Sequence, residues 1–116
     1  FLVHTDPQTS AARALEHARD FSITAPVVLD PQHALARAAG ATKLPQAAVI
    51  TRDGQVAYLG RIDDTYVGYG KKRAQPSQLD LQNAITAVLS GRPVAVPRTE
   101  SVGCFIPFAT GTAAAP

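Results

Sequence analysis

The chain has 116 residues, of which 46% are hydrophobic and 17% charged, with a formal net charge of +2. That length supports one domain with a modest core, and that composition excludes an intrinsically disordered chain. A pI near 9.0 rests on a small charge imbalance and does not describe a nucleic-acid binder, and no apolar run reaches the roughly 18–20 residues needed to cross a membrane.

The sequence opens "FLVHTD", without methionine and inside an apolar stretch. Signal peptidases cut after small residues in exposed segments and do not leave a strand as the new end, so the sequence reads as a fragment whose upstream part is missing. Phe1 to Val3 form a strand. Asp6-Pro7 then predicts a helix start, with aspartate at the N-cap and proline at the first helical position. Ala11, Leu15, Ala18 and Phe21 follow at helical spacing as its apolar face. "APVVLD" is a short buried strand, Asp30-Pro31 repeats the start signal, and "PQHALARAAG" is a helix closed by Gly40.

Residues 47–51 and 56–61 read as two apolar strands joined through "RDGQ", where an Asp-Gly pair signals a hairpin because glycine accepts positive φ at little cost. "DDTYVGYGKKRAQP" is a polar loop. Ser77 and Asp80 resemble a capping box, and Leu81, Ile85, Val88 and Leu89 supply the apolar face of a helix ending at Gly91, with Pro93 beyond. "VAVPRTESVGCFIPF" is extended and proline-punctuated, and "ATGTAAAP" has the composition of a flexible linker. The domain accordingly spans residues 1–91, an extended tail spans 92–108, and a linker or terminus spans 109–116. Helices between the early strands, followed by a hairpin, predict an α/β fold with a mixed sheet.

Leu44-Pro45 stands directly before the first hairpin strand. Proline cannot donate to a β ladder, which confines it to strand starts and edges. The segments "FLVHTDPQTSAARALEHARDF", "APVVLDPQHALARAAGATKLP" and "QAAVITRDGQVAYLGRIDD", in that order, resemble the thioredoxin-like redoxins of the alkyl hydroperoxide reductase and thiol-specific antioxidant group. The resemblance covers about residues 1–89 and rests on order and spacing. It implies a thioredoxin-like fold with flanking helices, lacking its N-terminal strand-helix unit. It implies that Pro45 is the cis-proline beside the catalytic cysteines, and that Leu44 supplies the backbone edge on which an extended thiol substrate pairs. The partners it implies are a thiol or disulfide protein, or a peroxide, together with the missing N-terminal segment of the same protein. No cofactor is called for.

The family's catalytic cysteine lies on the absent unit. A thiolate at a helix N-terminus is the nucleophile in such chemistry, and the single thiol here is Cys104, so the chain by itself is expected to be inactive. One cysteine also excludes an internal disulfide framework. Cys104 reads either as an accessory thiol or ligand, or as a small buried residue anchoring the tail. Gly91-Arg92-Pro93-Val94 followed by Gly103-Cys104 and Ile106 resembles the tail of a subset of thioredoxin-like proteins, and this favours an extracytoplasmic (periplasmic) bacterial location. The alternative to an enzyme portion is a non-catalytic thioredoxin-like module that binds peptide or serves a structural role.

The other candidates have plainer readings. His4, His17 and His33 lack metal-ligand spacing, and His17 and His33 read as solvated. Asp63-Asp64 point to opposite faces of an extended segment, so a solvated strand end with Arg61 as partner is preferred to a metal pair. Lys71-Lys72-Arg73 is too short for a nucleic-acid footprint, and Tyr58, Tyr66 and Tyr69 are not spaced as a stacking platform.

Overall fold

The computed structural model describes residues 1–108. They form a mixed α/β protein divided into two units. The first comprises residues 1–38 with 107–108, and the second residues 39–106. The linker expected over 109–116 lies outside the described residues.

In the first unit β1 (Leu2–His4) pairs in parallel with β2 (Val27–Leu29), in the register Leu2↔Val27 and His4↔Leu29. Parallel neighbours need a long crossover, and α1 (Ala11–Asp20) supplies it, packing on β2. The helix begins later than Asp6-Pro7 suggested. The Asp6 carboxylate instead closes a local turn by accepting the Gln8 amide at 2.9 Å, and Ser10 caps the helix by accepting the Arg13 amide at 3.2 Å. The face that packs also differs from expectation. Ala14 and Ala18 are buried, whereas Leu15 and Phe21 are 55% and 69% exposed. Leu15 lies about 100° round the helix from Ala14, outside the stripe turned inward.

Asp30 acts as the predicted cap, but for a helix that starts after a turn rather than at Pro31. Its carboxylate accepts the amides of Leu35 (3.1 Å) and Ala36 (2.9 Å) at the head of α2 (Ala34–Ala39). In the intervening turn His33 takes φ of 63°. Its expected solvation is not found: His33 is buried, with Nε2 at 2.8 Å from the Thr5 carbonyl oxygen and its ring edge-on to Phe108. The turn geometry carries the ring inward, a placement that the helical spacing did not suggest.

The second unit is built on the hairpin of β4 (Ala47–Ile50) and β5 (Val56–Gly60), with Gly54 at φ 87° in the Asp-Gly turn as expected. Helix α3 (Asp80–Leu89) packs against both strands through Ala84 and Ala87. Ile85 and Leu89, expected to face inward, are 42% and 83% exposed. The polar loop after β5 contains a further hairpin, β6 (Tyr66–Gly68) and β7 (Lys71–Lys72). Short β3 (Lys43–Leu44) pairs antiparallel with β8 (Cys104–Phe105). The hydrogen-bonded ladders among the described residues are two-stranded, so four short ladders stand where one mixed sheet was expected. Beside the β4–β5 pair, Arg98 of the tail forms an isolated parallel bridge with Leu59.

Two polar groups hold the segment between β5 and α3, and both differ from the sequence reading. Ser77 does not cap α3; its hydroxyl and amide both donate to Asp64, as does the Gln78 amide at 2.8 Å. Arg73 lies 3.5 Å from the same carboxylate. Asp64 is therefore buried and bonded rather than solvated. Arg61 pairs instead with Asp80 at 2.6 Å, where the carboxylate also sits in the first turn of α3.

Donation by the Ser77 hydroxyl, followed by the Gln78 and Ser77 amides and the Arg73 charge, lowers the Asp64 pKa to about 2. The unfolded state therefore takes up this proton at higher pH than the folded state. The resulting stabilisation is complete above the ordinary aspartate range and is lost as pH falls toward about 2. Urea titrations at stepped pH are expected to show that loss in the wild type and a flatter acid limb in Asp64→Asn.

Candidate functional site

The Leu44–Pro45 peptide bond is cis, as the resemblance implied. The local backbone is pinned by Gln46, whose side-chain oxygen accepts the amides of Thr42 (2.8 Å) and Lys43 (3.2 Å). This leaves the opposite edge of residues 42–44 for pairing with another strand, and the tail takes it. Leu44 stands opposite Cys104 and Lys43 opposite Phe105, while the Ile106 amide donates to the Thr42 carbonyl at 2.8 Å. The three sequence candidates Leu44, Pro45 and Cys104 thus meet at one place.

Cys104 and Pro45 are both exposed. This removes the reading of Cys104 as a buried anchor. The anchoring falls to Ile106 and Ser101, each 5% exposed, on either side of it. Regular alternation would put Cys104 on the same face as Ile106, so pleating does not account for the difference. The two-residue ladder ends at Phe105, and of Cys104, Phe105 and Ile106 only Ile106 is buried.

Residues not singled out as a set from sequence hold the segment on either side of the cysteine. Lys43 Nζ donates to Glu100 Oε2 and to the Ser101 carbonyl, both at 3.3 Å, and lies 5.2 Å from the Phe105 ring centroid. The Tyr69 hydroxyl, on the turn of the β6–β7 hairpin, donates to the Gly103 carbonyl. Gly103 approaches so closely that a Cβ there would overlap the Leu44 carbonyl oxygen and stand 2.7 Å from its carbon. The sequence signal for this was the Gly-Cys pair, because glycine before a chemistry-bearing residue often marks close backbone approach. Lys43 and Tyr69 had no local signal, as their partners lie 57 and 34 residues away.

Below this edge a second cluster fixes the tail. Tyr58, fully buried, donates to the Arg61 carbonyl and meets the Thr99 hydroxyl, both at 2.6 Å, and that hydroxyl accepts the Arg61 amide at 2.9 Å. The ring of bonds satisfies both backbone groups of Arg61 through two side chains. Burial chiefly raises the Tyr58 pKa, partly offset by the Thr99 bond.

His4 belongs to the other unit, with its ring edge-on to His17 at 5.4 Å. Among the described residues no three His, Cys, Asp or Glu side chains converge to hold a metal ion, and no helix is long and apolar enough to cross a membrane. A cavity of about 260 Å³ between Ile62 and α3 is lined by Ile62, Asp63, Leu79, Leu81, Gln82 and Ile85. It contains no thiol and no basic group.

No family model and no curated protein matches the sequence. Solved structures do, among them the two that follow. A hypothetical protein of Sinorhizobium meliloti aligns over 94% of this chain with a TM-score of 0.74 and 26% identity. An uncharacterized conserved protein of Geobacillus kaustophilus aligns over 90% with a TM-score of 0.70, again at 26% identity. The chain spans 61% of the length of the first and 53% of the second, so each neighbour has a large part without a counterpart here.

Proposed function

We propose that this chain is the C-terminal portion of a thioredoxin-like redoxin, acting in thiol-disulfide exchange or in thiol-dependent peroxide reduction through a cysteine upstream of Phe1. The observation that carries the reading is the seating of an extended, cysteine-bearing segment on the Leu44 edge beside Pro45. An exposed strand edge recognises an extended partner through its backbone, and here the segment paired with it carries an exposed thiol opposite Leu44. Leu44 and Pro45 form the substrate edge, and Cys104 is an accessory thiol.

Exposed apolar surface supports further chain packing on both units. Two parallel strands alone leave sheet faces that parallel sheets ordinarily bury, and Phe1, Leu29 and Leu35 are 87%, 39% and 48% exposed. On the second unit Ile62, Ile85 and Leu89 are likewise exposed.

The full coding unit, expressed with its upstream region, is expected to reduce insulin disulfides or to consume peroxide in the presence of a dithiol reductant, while residues 1–116 alone do neither. Cys104→Ser in that protein is expected to slow turnover without abolishing it. A full protein that lacks an upstream cysteine, or that is inactive in both assays, removes the redoxin reading. The non-catalytic peptide-binding module then takes its place, and the same Leu44 edge favours it.

A further inference from the structure

The tail does not lie on the Leu44 edge through backbone pairing alone. Around the two-residue ladder, four side-chain features select this segment. Glu100, four residues before the cysteine, reaches the Lys43 ammonium; Gly103 fits where any Cβ would strike the Leu44 carbonyl; Phe105 lies over the Lys43 ammonium; and Ile106 is buried with its amide on Thr42. Tyr69 adds a donor to the Gly103 carbonyl from the neighbouring hairpin. An edge that merely needed covering would be served by any extended chain, since backbone bonds are indifferent to sequence. Here an acidic residue, a glycine, an aromatic and an aliphatic are read at fixed positions along one strand.

The individual contacts are weak. The Glu100 side chain is 92% exposed, which leaves its ion pair worth little. The ladder has only two residues on each side, and Phe105 is 75% exposed. Such a strand opens locally at far lower cost than the core beneath it.

We propose that the edge of residues 42–44 is a docking site for an extended peptide of the pattern acidic-x-x-Gly-x-aromatic-aliphatic, and that residues 100–106 occupy it in cis as a built-in competitor. The inference rests on the reading above in taking this edge as the place where a partner docks, and it adds the partner's chemistry and its regulation. A partner strand must displace the tail. Its apparent affinity is therefore reduced by the fraction of molecules in which the tail is open.

The test uses the full chain and a fluorescent peptide copying residues 97–108 with serine in place of cysteine, so that no disulfide contributes. Gly103→Val in the protein unseats its own tail. Hydrogen exchange at the Ile106 amide is expected to show lost protection, and the peptide is expected to bind about tenfold or more tightly than to the wild type. Adding Lys43→Glu to Gly103→Val is expected to abolish that gain. If Gly103→Val does not fold, Glu100→Lys sets like charges at an exposed position and carries the same two readouts, with about a threefold gain expected.

Unchanged peptide affinity with an unprotected Ile106 amide overturns the proposal, because the edge is then free and does not bind. Protection that persists in the variant overturns it as well, because the close approach at Gly103 is then not what seats the tail. Peptide binding by a protein inactive in both thiol assays rejects the redoxin reading alone. Thiol activity with no gain in peptide binding rejects the competitor alone.

Discussion

Replacing Tyr58 with alanine is expected to lower the unfolding free energy by about 3–5 kcal/mol, the range for emptying a large aromatic site in a core. Tyr58 is the largest fully buried side chain among the described residues, and the residues sharing the core of its unit include Ala84 and Ala87. Alanines have no rotamers with which to collapse into the space. Tyr58→Phe separates packing from bonding. It keeps the ring but leaves the Arg61 carbonyl and the Thr99 hydroxyl without their partner, at a cost of about 1–3 kcal/mol.

The same residue gives an alkaline signature. Its folded pKa is raised, chiefly by burial. Above the ordinary tyrosine value of 10.0 the unfolded chain releases the phenolic proton while the folded chain retains it. The unfolded state then binds fewer protons, and stability falls as pH rises through that region. Urea midpoints measured from pH 8 upward are expected to fall in the wild type and to fall less in Tyr58→Phe. A Tyr58→Ala variant within experimental error of the wild type would mean that the second unit is not organised around this ring.

Gly60→Ala carries the second large effect. A Cβ at Gly60 would overlap the Thr99 hydroxyl and stand 2.8 Å and 2.9 Å from the Thr99 carbonyl oxygen and amide nitrogen. Rotation of the threonine side chain cannot relieve the two backbone contacts, so the tail itself must move. Overpacking of this kind costs about 1–3 kcal/mol. The expected consequence is specific: the Thr99 amide, bonded to the Leu59 carbonyl, and the Leu59 amide, bonded to the Pro97 carbonyl, lose exchange protection together. Gly60→Ala and Tyr58→Phe share Thr99, so the double variant is expected to be less destabilised than the sum of the two. Additive losses would show that Thr99 is not the common element.

Elements whose causes are local were legible in the sequence. The Asp53-Gly54 turn joins β4 to β5, Gly91 takes φ of 70° just beyond α3, and Asp30 caps a helix with its carboxylate. In each, the deciding interaction spans at most six residues, within reach of a single side chain or turn. Leu44, Pro45 and Cys104 were also recognisable as candidates, on resemblance and residue chemistry.

What the tertiary structure decided is where the polar groups went and which helix faces turned inward. Ser77 looked like a cap for α3 but serves Asp64, thirteen residues earlier, and Arg61 looked like a partner for Asp63-Asp64 but pairs with Asp80. Local spacing lists the partners a side chain can reach; burial of Asp64 and Asp80 selects among them, because a carboxylate removed from water needs donors wherever the fold supplies them. The helix faces follow the same rule: Ala14, Ala18, Ala84 and Ala87 are buried in preference to larger neighbours, since close backbone approach depends on the surface opposite. The meeting of Cys104 with Leu44 is the furthest of these consequences, sixty residues apart in sequence and adjacent in the β3–β8 register. Its cause is steric and non-local: Gly103 admits the Leu44 carbonyl and buried Ile106 holds the strand down, so the only thiol of the chain is left at the proline edge.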